Sequence, residues 1–134
     1  MPMLTGGCFC GAIRYQATGR PLSATNCHCT MCRRVTGAPF LTWFSVRAGD
    51  FQMIRGKPAR FNTSEHVTRS FCSRCGTHLT FQYANLPDIL YVTSCSLDDP
   101  TSAPPVDNIY TDARLAWIGP DGLPDYRAGH PSSG

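Results

Sequence analysis

Charge is scarce in this sequence, with Asp, Glu, Lys and Arg making up only 16% of 134 residues. Disorder of the highly charged kind is thereby excluded, since 42% of the chain is hydrophobic and can bury a core. No stretch approaches the roughly 18 consecutive apolar residues of a membrane span. The opening Met-Pro-Met-Leu-Thr-Gly-Gly has neither the basic start nor the apolar run of a secretory signal. The expectation is a soluble cytoplasmic chain with no membrane partner. Lysine is almost missing: Lys57 stands alone, and the longest basic run is the pair Arg33-Arg34. A nucleic-acid partner is therefore not expected. The bias toward arginine suits bidentate recognition of carboxylates or phosphates, and it equally fits plain codon bias.

Length allows one domain spanning 1–134. Proline (11) and glycine (12) are spread evenly and cut the chain into segments too short for many helices, which predicts an all-β class. Strands are expected at Ala12–Ala17, Pro39–Val46, Phe51–Ile54, His66–Phe71, Thr77–Gln82 and Ile89–Ser96, each rich in β-branched or aromatic residues. The nearly continuous apolar run Phe40-Leu-Thr-Trp-Phe-Ser-Val predicts a strand covered on both faces. One helical turn fits around Thr30 to Val35. From Asp98 onward six prolines predict an irregular C-terminal arm laid over the sheet, and the last six residues are expected to fray.

Eight cysteines dominate the chemistry. In a reducing compartment such a number points to metal or thiol chemistry, with a secreted disulfide scaffold as the weaker reading. Seven of the eight lie in three clusters: Cys8-Phe-Cys10-Gly, Cys27-His-Cys29-Thr-Met-Cys32 and Cys72-Ser-Arg-Cys75-Gly. Cys-x-x-Cys-Gly is a tight turn that aims two thiolates at one ion, the glycine supplying left-handed backbone. In Cys-x-Cys both side chains leave an extended backbone on the same face. Cys8 and Cys10 can thus complete a tetrahedral, structural Cys₄ site with Cys72 and Cys75. Cys27, Cys29 and Cys32 remain as three ligands, the open arrangement used by catalytic zinc. Alternatives stay open at this level: a redox Cys29-x-x-Cys32 pair, an iron–sulfur cluster, or a second structural site shared with His28 or His78. Cys95 reads most simply as a buried core thiol. His28, His66 and His78 are proton-transfer candidates by residue type alone.

The arrangement resembles the glutathione-dependent formaldehyde-activating enzyme family, which includes centromere-protein-V-like members. The resemblance rests on Gly6-Gly-Cys-Phe-Cys-Gly-Ala-Ile-Arg-Tyr15, on Cys27 through Phe40, on Phe71-Cys-x-x-Cys-Gly76 and on Ser96-Leu-Asp-Asp-Pro100. It implies a zinc-bound antiparallel β-tent of the Mss-four-like kind. It also implies two Zn²⁺ ions per chain, structural at Cys8, Cys10, Cys72 and Cys75 and catalytic at Cys27, Cys29 and Cys32. The implied activity is that of a carbon–sulfur lyase on a small thiol adduct such as S-hydroxymethylglutathione, in a monomer or homodimer. Arg33, Arg34 and His28 are then the candidate substrate-binding residues for a glutathione-like partner. Two positions depart from the family pattern, Cys95 where a small residue is common and Asn108 where a histidine is common. The competing reading is a zinc-stabilised binding module with both metals structural and no catalysis.

Overall fold

The proline and glycine punctuation yields ten short strands and one helix in the computed structural model, which describes residues 2–129. The segment expected to fray lies, from His130 on, outside the described residues. β1 (Met3–Gly7), β2 (Arg14–Thr18) and β5 (Phe51–Arg55) form a three-stranded antiparallel sheet in the order β1-β2-β5. The second sheet is larger. It is built from β3 (Ser23–Cys27), β4 (Leu41–Arg47), β6 (Ala59–Ser64), β7 (Val67–Phe71), β8 (His78–Tyr83), β9 (Ile89–Thr93) and β10 (Asp107–Ile109). Its order is β10-β3-β4-β9-β8-β7-β6, antiparallel except that β10 runs parallel to β3. Among the described residues no helix is long and apolar enough to cross a membrane.

All six expected strands are present, their ends within three residues of the expected positions. The exception with a consequence is β9, which stops at Thr93 because Ser94–Ser96 coil into a 3-10 turn. That turn breaks the strand alternation, buries Ser94 and turns Cys95 outward, so the expected buried core thiol is exposed. Four further strands, β1, β3, β6 and β10, carry too few β-branched or aromatic residues to announce themselves. β3 shows why: Thr25 and Asn26 are buried, and their side chains bond to Asp107 O (3.3 Å) and Asn108 Oδ1 (3.1 Å) of β10. Pairing, not propensity, makes that strand.

The predicted helical turn is α1 (Thr30–Thr36). Cys29 caps its N-terminus, Sγ accepting from Cys32 N–H at 3.2 Å, and Gly37 closes it in left-handed backbone with its N–H on Arg33 O.

Alternation along β4 divides the interior in two. Phe44 and Val46 pack with Leu4, Tyr15 and Ala17 of the small sheet, and with Leu79 and Val92, in the core between the sheets. Trp43 points to the opposite face and packs with Cys27, Cys32, Val67 and Phe81. The strand is therefore covered on both faces, as its apolar run predicts, and Trp43 through Val46 are all buried. Burying Phe44 and Trp43 contributes on the order of 2–3 kcal/mol each.

Candidate metal centre and cavity

Two cysteine groups come together in space: Cys8, Cys10, Cys72 and Cys75, and separately Cys27, Cys29 and Cys32. Within each group the sulfurs lie no more than 4.8 Å apart, and every thiol is free of disulfide.

The four-cysteine group is made by two turns of the same construction. In the first, Cys8 N–H bonds Ile13 O (3.0 Å), Gly11 N–H bonds Cys8 O (3.1 Å), and Ile13 N–H donates to Cys8 Sγ (3.2 Å). In the second, Cys72 N–H bonds Thr77 O (2.9 Å), Gly76 N–H bonds Cys72 O (2.7 Å), and Cys75 N–H donates to Cys72 Sγ (3.4 Å). Gly11 (φ 80°) and Gly76 (φ 83°) hold the left-handed positions that turn each chain away after its second cysteine. Four sulfurs about 2.3 Å from a tetrahedral zinc stand roughly 3.8 Å apart. Cys8–Cys10 at 3.6 Å and Cys10–Cys72 at 3.8 Å match that edge. Thr77 Oγ1 lies 3.2 Å from Cys75 Sγ, and this contact is the main reason the Cys75 thiol is pulled down to about 5. Four sulfurs at this spacing, two of them accepting backbone N–H bonds, fit a structural metal.

The three-cysteine group is local. Cys27 ends β3, Cys29 caps α1 and Cys32 lies one turn into the helix, with Cys32 and Cys27 sulfurs 3.4 Å apart. The thiols share one ionisation. Hydrogen bonds from Cys27 and then from Cys32 pull Cys29 well below the usual thiol range, helped by Cys32 N–H and the positive Arg69. Hydrogen bonds with Cys29 first and with Cys32 second push Cys27 far up. Negative charge thus gathers on Cys29, the least buried of the three. Arg69, itself only 4% exposed, directs Nη2 at Cys32 Sγ from 3.7 Å. Three clustered sulfurs, one held as thiolate beside a buried cation, fit a metal with three protein ligands.

These cysteines line a cavity of about 460 Å³. Its floor is a single face of the large sheet, because residues two apart on a strand point the same way: Thr25 and Cys27 of β3, Trp43 of β4, Val67 and Arg69 of β7, Phe81 and Tyr83 of β8, Tyr91 of β9 and Ile109 of β10 all line it. The rings interlock: Phe81 stacks on Tyr91 (4.4 Å, 2°) and meets Trp43 edge-on (4.6 Å, 88°). Tyr110 also lines the cavity and sits in left-handed backbone (φ 56°, ψ 40°), an unusual state for a non-glycine residue. It opens a 3-10 turn at Thr111–Ala113, and with Arg127 and Gly129 this turn contributes to the cavity wall. Burial raises the Tyr83 and Tyr110 phenols above their ordinary value, so both stay protonated at neutral pH.

The sequence-predicted substrate residues lie elsewhere. Arg33 donates through Nη1 to the carbonyls of His28 (3.4 Å) and Ala113, which ties α1 to the Thr111–Ala113 turn. Arg34 is exposed. His28 is 1% exposed, stacks near Phe40 (4.9 Å) and meets Asn108 Oδ1 through Nε2 (3.1 Å). None of the three lines the cavity, nor do His66 and His78. The guanidinium groups that do are Arg69 and Arg127, and the rim residue Arg127 is paired with Asp112 at 2.8 Å. Arg69 was legible in principle: Val67-Thr-Arg69-Ser-Phe71 places it on the same strand face as Val67, where a lone charge in an apolar row is conspicuous.

Comparison with known proteins agrees with this geometry. The profile of the family described as glutathione-dependent formaldehyde-activating enzyme matches residues 3–113. An uncharacterized lyase of Schizosaccharomyces pombe is 33% identical over 85 residues, covering 63% of this chain and 61% of that protein. The match thus spans under two thirds of the yeast relative. A Halomonas elongata protein, provisionally named as a glutathione-dependent formaldehyde-activating enzyme, is 24% identical over 118 residues, covering 77% of this chain and 71% of that protein. A crystal structure of a Rhodobacter sphaeroides protein superposes with a TM-score of 0.58 at 22% identity, over 90% of this chain and 98% of the other, and so shares the fold.

Proposed function

The chain belongs to the family of glutathione-dependent formaldehyde-activating enzymes, and from that premise we propose that it makes and breaks the carbon–sulfur bond of a small thiol adduct such as S-hydroxymethylglutathione. The observation that carries this reading is that the three-cysteine group lines an aromatic cavity large enough for a small substrate. Cys8, Cys10, Cys72 and Cys75 would hold one zinc as a closed structural site, and Cys27, Cys29 and Cys32 a second. With only three protein ligands the second zinc would offer Lewis acidity to a thiol or carbonyl oxygen.

The chemistry is an addition and its reverse. In the forward direction a sulfur electron pair forms the bond to the aldehyde carbon, the carbonyl π pair moves onto oxygen, and the thiol proton ends on that oxygen. The chain's own residues serve this in three ways. Arg69 lies against Cys32 and offsets the thiolate charge of the cluster. The Trp43, Phe81 and Tyr91 rings give the cavity an apolar lining that would limit water around the reacting carbon. Arg33, braced on Ala113 O, holds the turn carrying Tyr110 over the cavity and acts by positioning.

Exchange between glutathione and isotopically labelled formaldehyde, followed by NMR in the zinc-loaded protein, tests the proposal. Acceleration by the native chain and its loss in Cys29→Ser, with the melting temperature kept within about 5 °C, is the expected result. Full activity in Cys29→Ser would overturn it.

A further inference from the structure

Tyr110 is held in a conformation that its side chain disfavours. It is the one non-glycine residue in left-handed backbone among the described residues (φ 56°, ψ 40°), a state in which glycine or asparagine is the usual occupant. Hydrogen bonds on both sides impose it. Ile109 O accepts from His28 N–H (3.1 Å), Tyr110 N–H donates to Ala128 O (2.9 Å), Thr111 N–H to Tyr126 O (3.1 Å), and Ala113 N–H returns to Tyr110 O (3.0 Å). Strained residues that their surroundings over-determine gather at active sites, where the strain places a side chain. Here the ring lines the cavity and packs against the group that contains Cys27, Cys32, Trp43 and Phe81.

The proposed addition builds negative charge on one oxygen, and the cavity that receives it already holds charge. The Cys29 thiolate and Asp112 repel such an oxygen. Arg127, 85% exposed, is paired with Asp112 at 2.8 Å on the rim. Arg69 is committed to Cys32 Sγ and Thr63 Oγ1, and its third nitrogen is buried away from solvent. Hydroxyl donors remain. Thr25 already donates to Asp107 O (3.3 Å). The Tyr91 phenol is raised by burial and then by Tyr110, with no influence from the cysteines. The Tyr110 phenol is raised by burial first and then by Cys27, Cys29 and Cys32, and a hydrogen bond with Tyr83 lowers it. A bond that lowers a phenol is one donated to its oxygen. Tyr83 therefore occupies a lone pair of Tyr110 and leaves the Tyr110 hydrogen to be given elsewhere.

Resting on the lyase reading and deepening it, we propose that the Tyr110 hydroxyl is a catalytic residue, the hydrogen-bond donor to the oxygen of the aldehyde and of its thiol adduct. The electron movement is that of the addition itself: the sulfur pair forms the carbon–sulfur bond, the π pair moves onto oxygen, and the thiol proton ends there. Tyr110 keeps its own proton, and its hydrogen bond strengthens as the oxygen gains charge.

Monothioacetate carries sulfur and oxygen on one carbon, as the adduct does, and ethanethiol carries the sulfur without the oxygen. Each brings one negative charge when ionised, so Cys29, Asp112 and Arg127 act on both. In isothermal titration of the zinc-loaded protein, Tyr110→Phe should weaken monothioacetate by about 10- to 100-fold, the value of a hydrogen bond to a charged group, and leave ethanethiol within twofold. In glutathione–formaldehyde exchange the same variant should lose about 10²- to 10³-fold in kcat, as when one donor to a developing oxyanion is removed, with KM for glutathione within about threefold. A residue that only walls the cavity would move KM instead. One measurement needs no variant: in native protein labelled with ¹³C-tyrosine, the Tyr110 Cζ resonance should shift with monothioacetate and hold still with ethanethiol. Equal weakening of both ligands by Tyr110→Phe, or an unmoved Tyr110 resonance in the native protein, would overturn the inference. Exchange at native kcat in Tyr110→Phe removes this inference and leaves the lyase reading in place. Selective loss of monothioacetate in Tyr110→Phe, with no exchange in the native chain, removes the lyase reading and leaves Tyr110 as an oxygen donor in the cavity.

Discussion

Cys8, Cys10, Cys72 and Cys75 meet across 61 intervening residues, whereas Cys27, Cys29 and Cys32 come from a stretch of six. The difference decides what each cluster can do. An ion held by the first group would join the turn between β1 and β2 to the turn between β7 and β8 and so close a long loop, restricting the unfolded chain strongly. An ion on the second group would bridge a strand end to the helix beside it, whose Cys27 and Cys32 sulfurs are already 3.4 Å apart. Such a site adds little constraint. Its cysteines line a cavity instead, where an unfilled coordination position would be of use. On the proposed reading, the same element and the same side chain would serve stability in one place and chemistry in the other.

The most severe way to break this comparison is to swap the losses. Cys72→Ser should leave the chain unfolded at ambient temperature, since structural zinc in small domains contributes apparent binding energies of about 10–16 kcal/mol, comparable to the whole stability of a domain. Circular dichroism melting and released-zinc titration check this. Cys29→Ser should shift the melting temperature by no more than about 5 °C while abolishing exchange. Equal destabilisation by the two variants would erase the distinction and favour the binding-module reading. A weak chelator sharpens it further: the metal on Cys27, Cys29 and Cys32 should leave first, freeing about three thiols, with the fold retained.

How much of this was legible follows the same division. The two glycine-ended turns and the local cysteine cluster are short-range features, and their spacing announces them. The core strand β4 is equally plain, because Phe40-Leu-Thr-Trp-Phe-Ser-Val admits few other readings. The cavity was not legible, because it is assembled from alternate residues of six strands whose order, β10-β3-β4-β9-β8-β7, no local pattern encodes. Arg33 and Arg34 attract notice by adjacency to Cys32, yet neither lines the cavity, while Arg69 reaches Cys32 from 37 positions off. The departure from a family histidine at Asn108 also gains a physical meaning only from the fold.

Asn108 supplies the next test. It is fully buried, its Oδ1 meets Asn26 Nδ2 and His28 Nε2 at 3.1 Å each, and its Nδ2 donates to Asp121 (3.1 Å) and Asp125 (3.2 Å). One amide therefore joins β3, the strand that ends in Cys27, to the C-terminal segment that contributes the cavity wall. Asn108→Ala removes these contacts and should cost about 3 kcal/mol in denaturant unfolding, with two buried donors left unpaired. If the comparison holds, the variant loosens the three-cysteine group and speeds its metal loss, and leaves retention at the four-cysteine group unchanged. Equal loosening of both groups would show that the two are mechanically coupled after all.

The smallest effect concerns what holds the N-terminal strands beside the four-cysteine group apart from metal. Arg14 of β2 grips Asp98 with both nitrogens, at 2.9 and 2.5 Å, and Thr5 Oγ1 of β1 donates to the same carboxylate at 2.8 Å. Arg14 first, and Thr5 second, hold the Asp98 carboxyl down to about 2. A depressed folded-state value means that the pair contributes stability above the unfolded value of about 3.9, and that this contribution is lost as pH falls toward 2. Both side chains are substantially exposed (35% and 49%), so screening limits the contribution to no more than about 1 kcal/mol. Asp98→Asn should therefore lower stability slightly at pH 7, less so in high salt, and make no difference below pH 2. A loss several times larger, or one insensitive to salt, would mean that the ion pair rather than the cysteine cluster secures these strands, and the long-range crosslink would no longer explain why the N-terminus stays folded on the sheet.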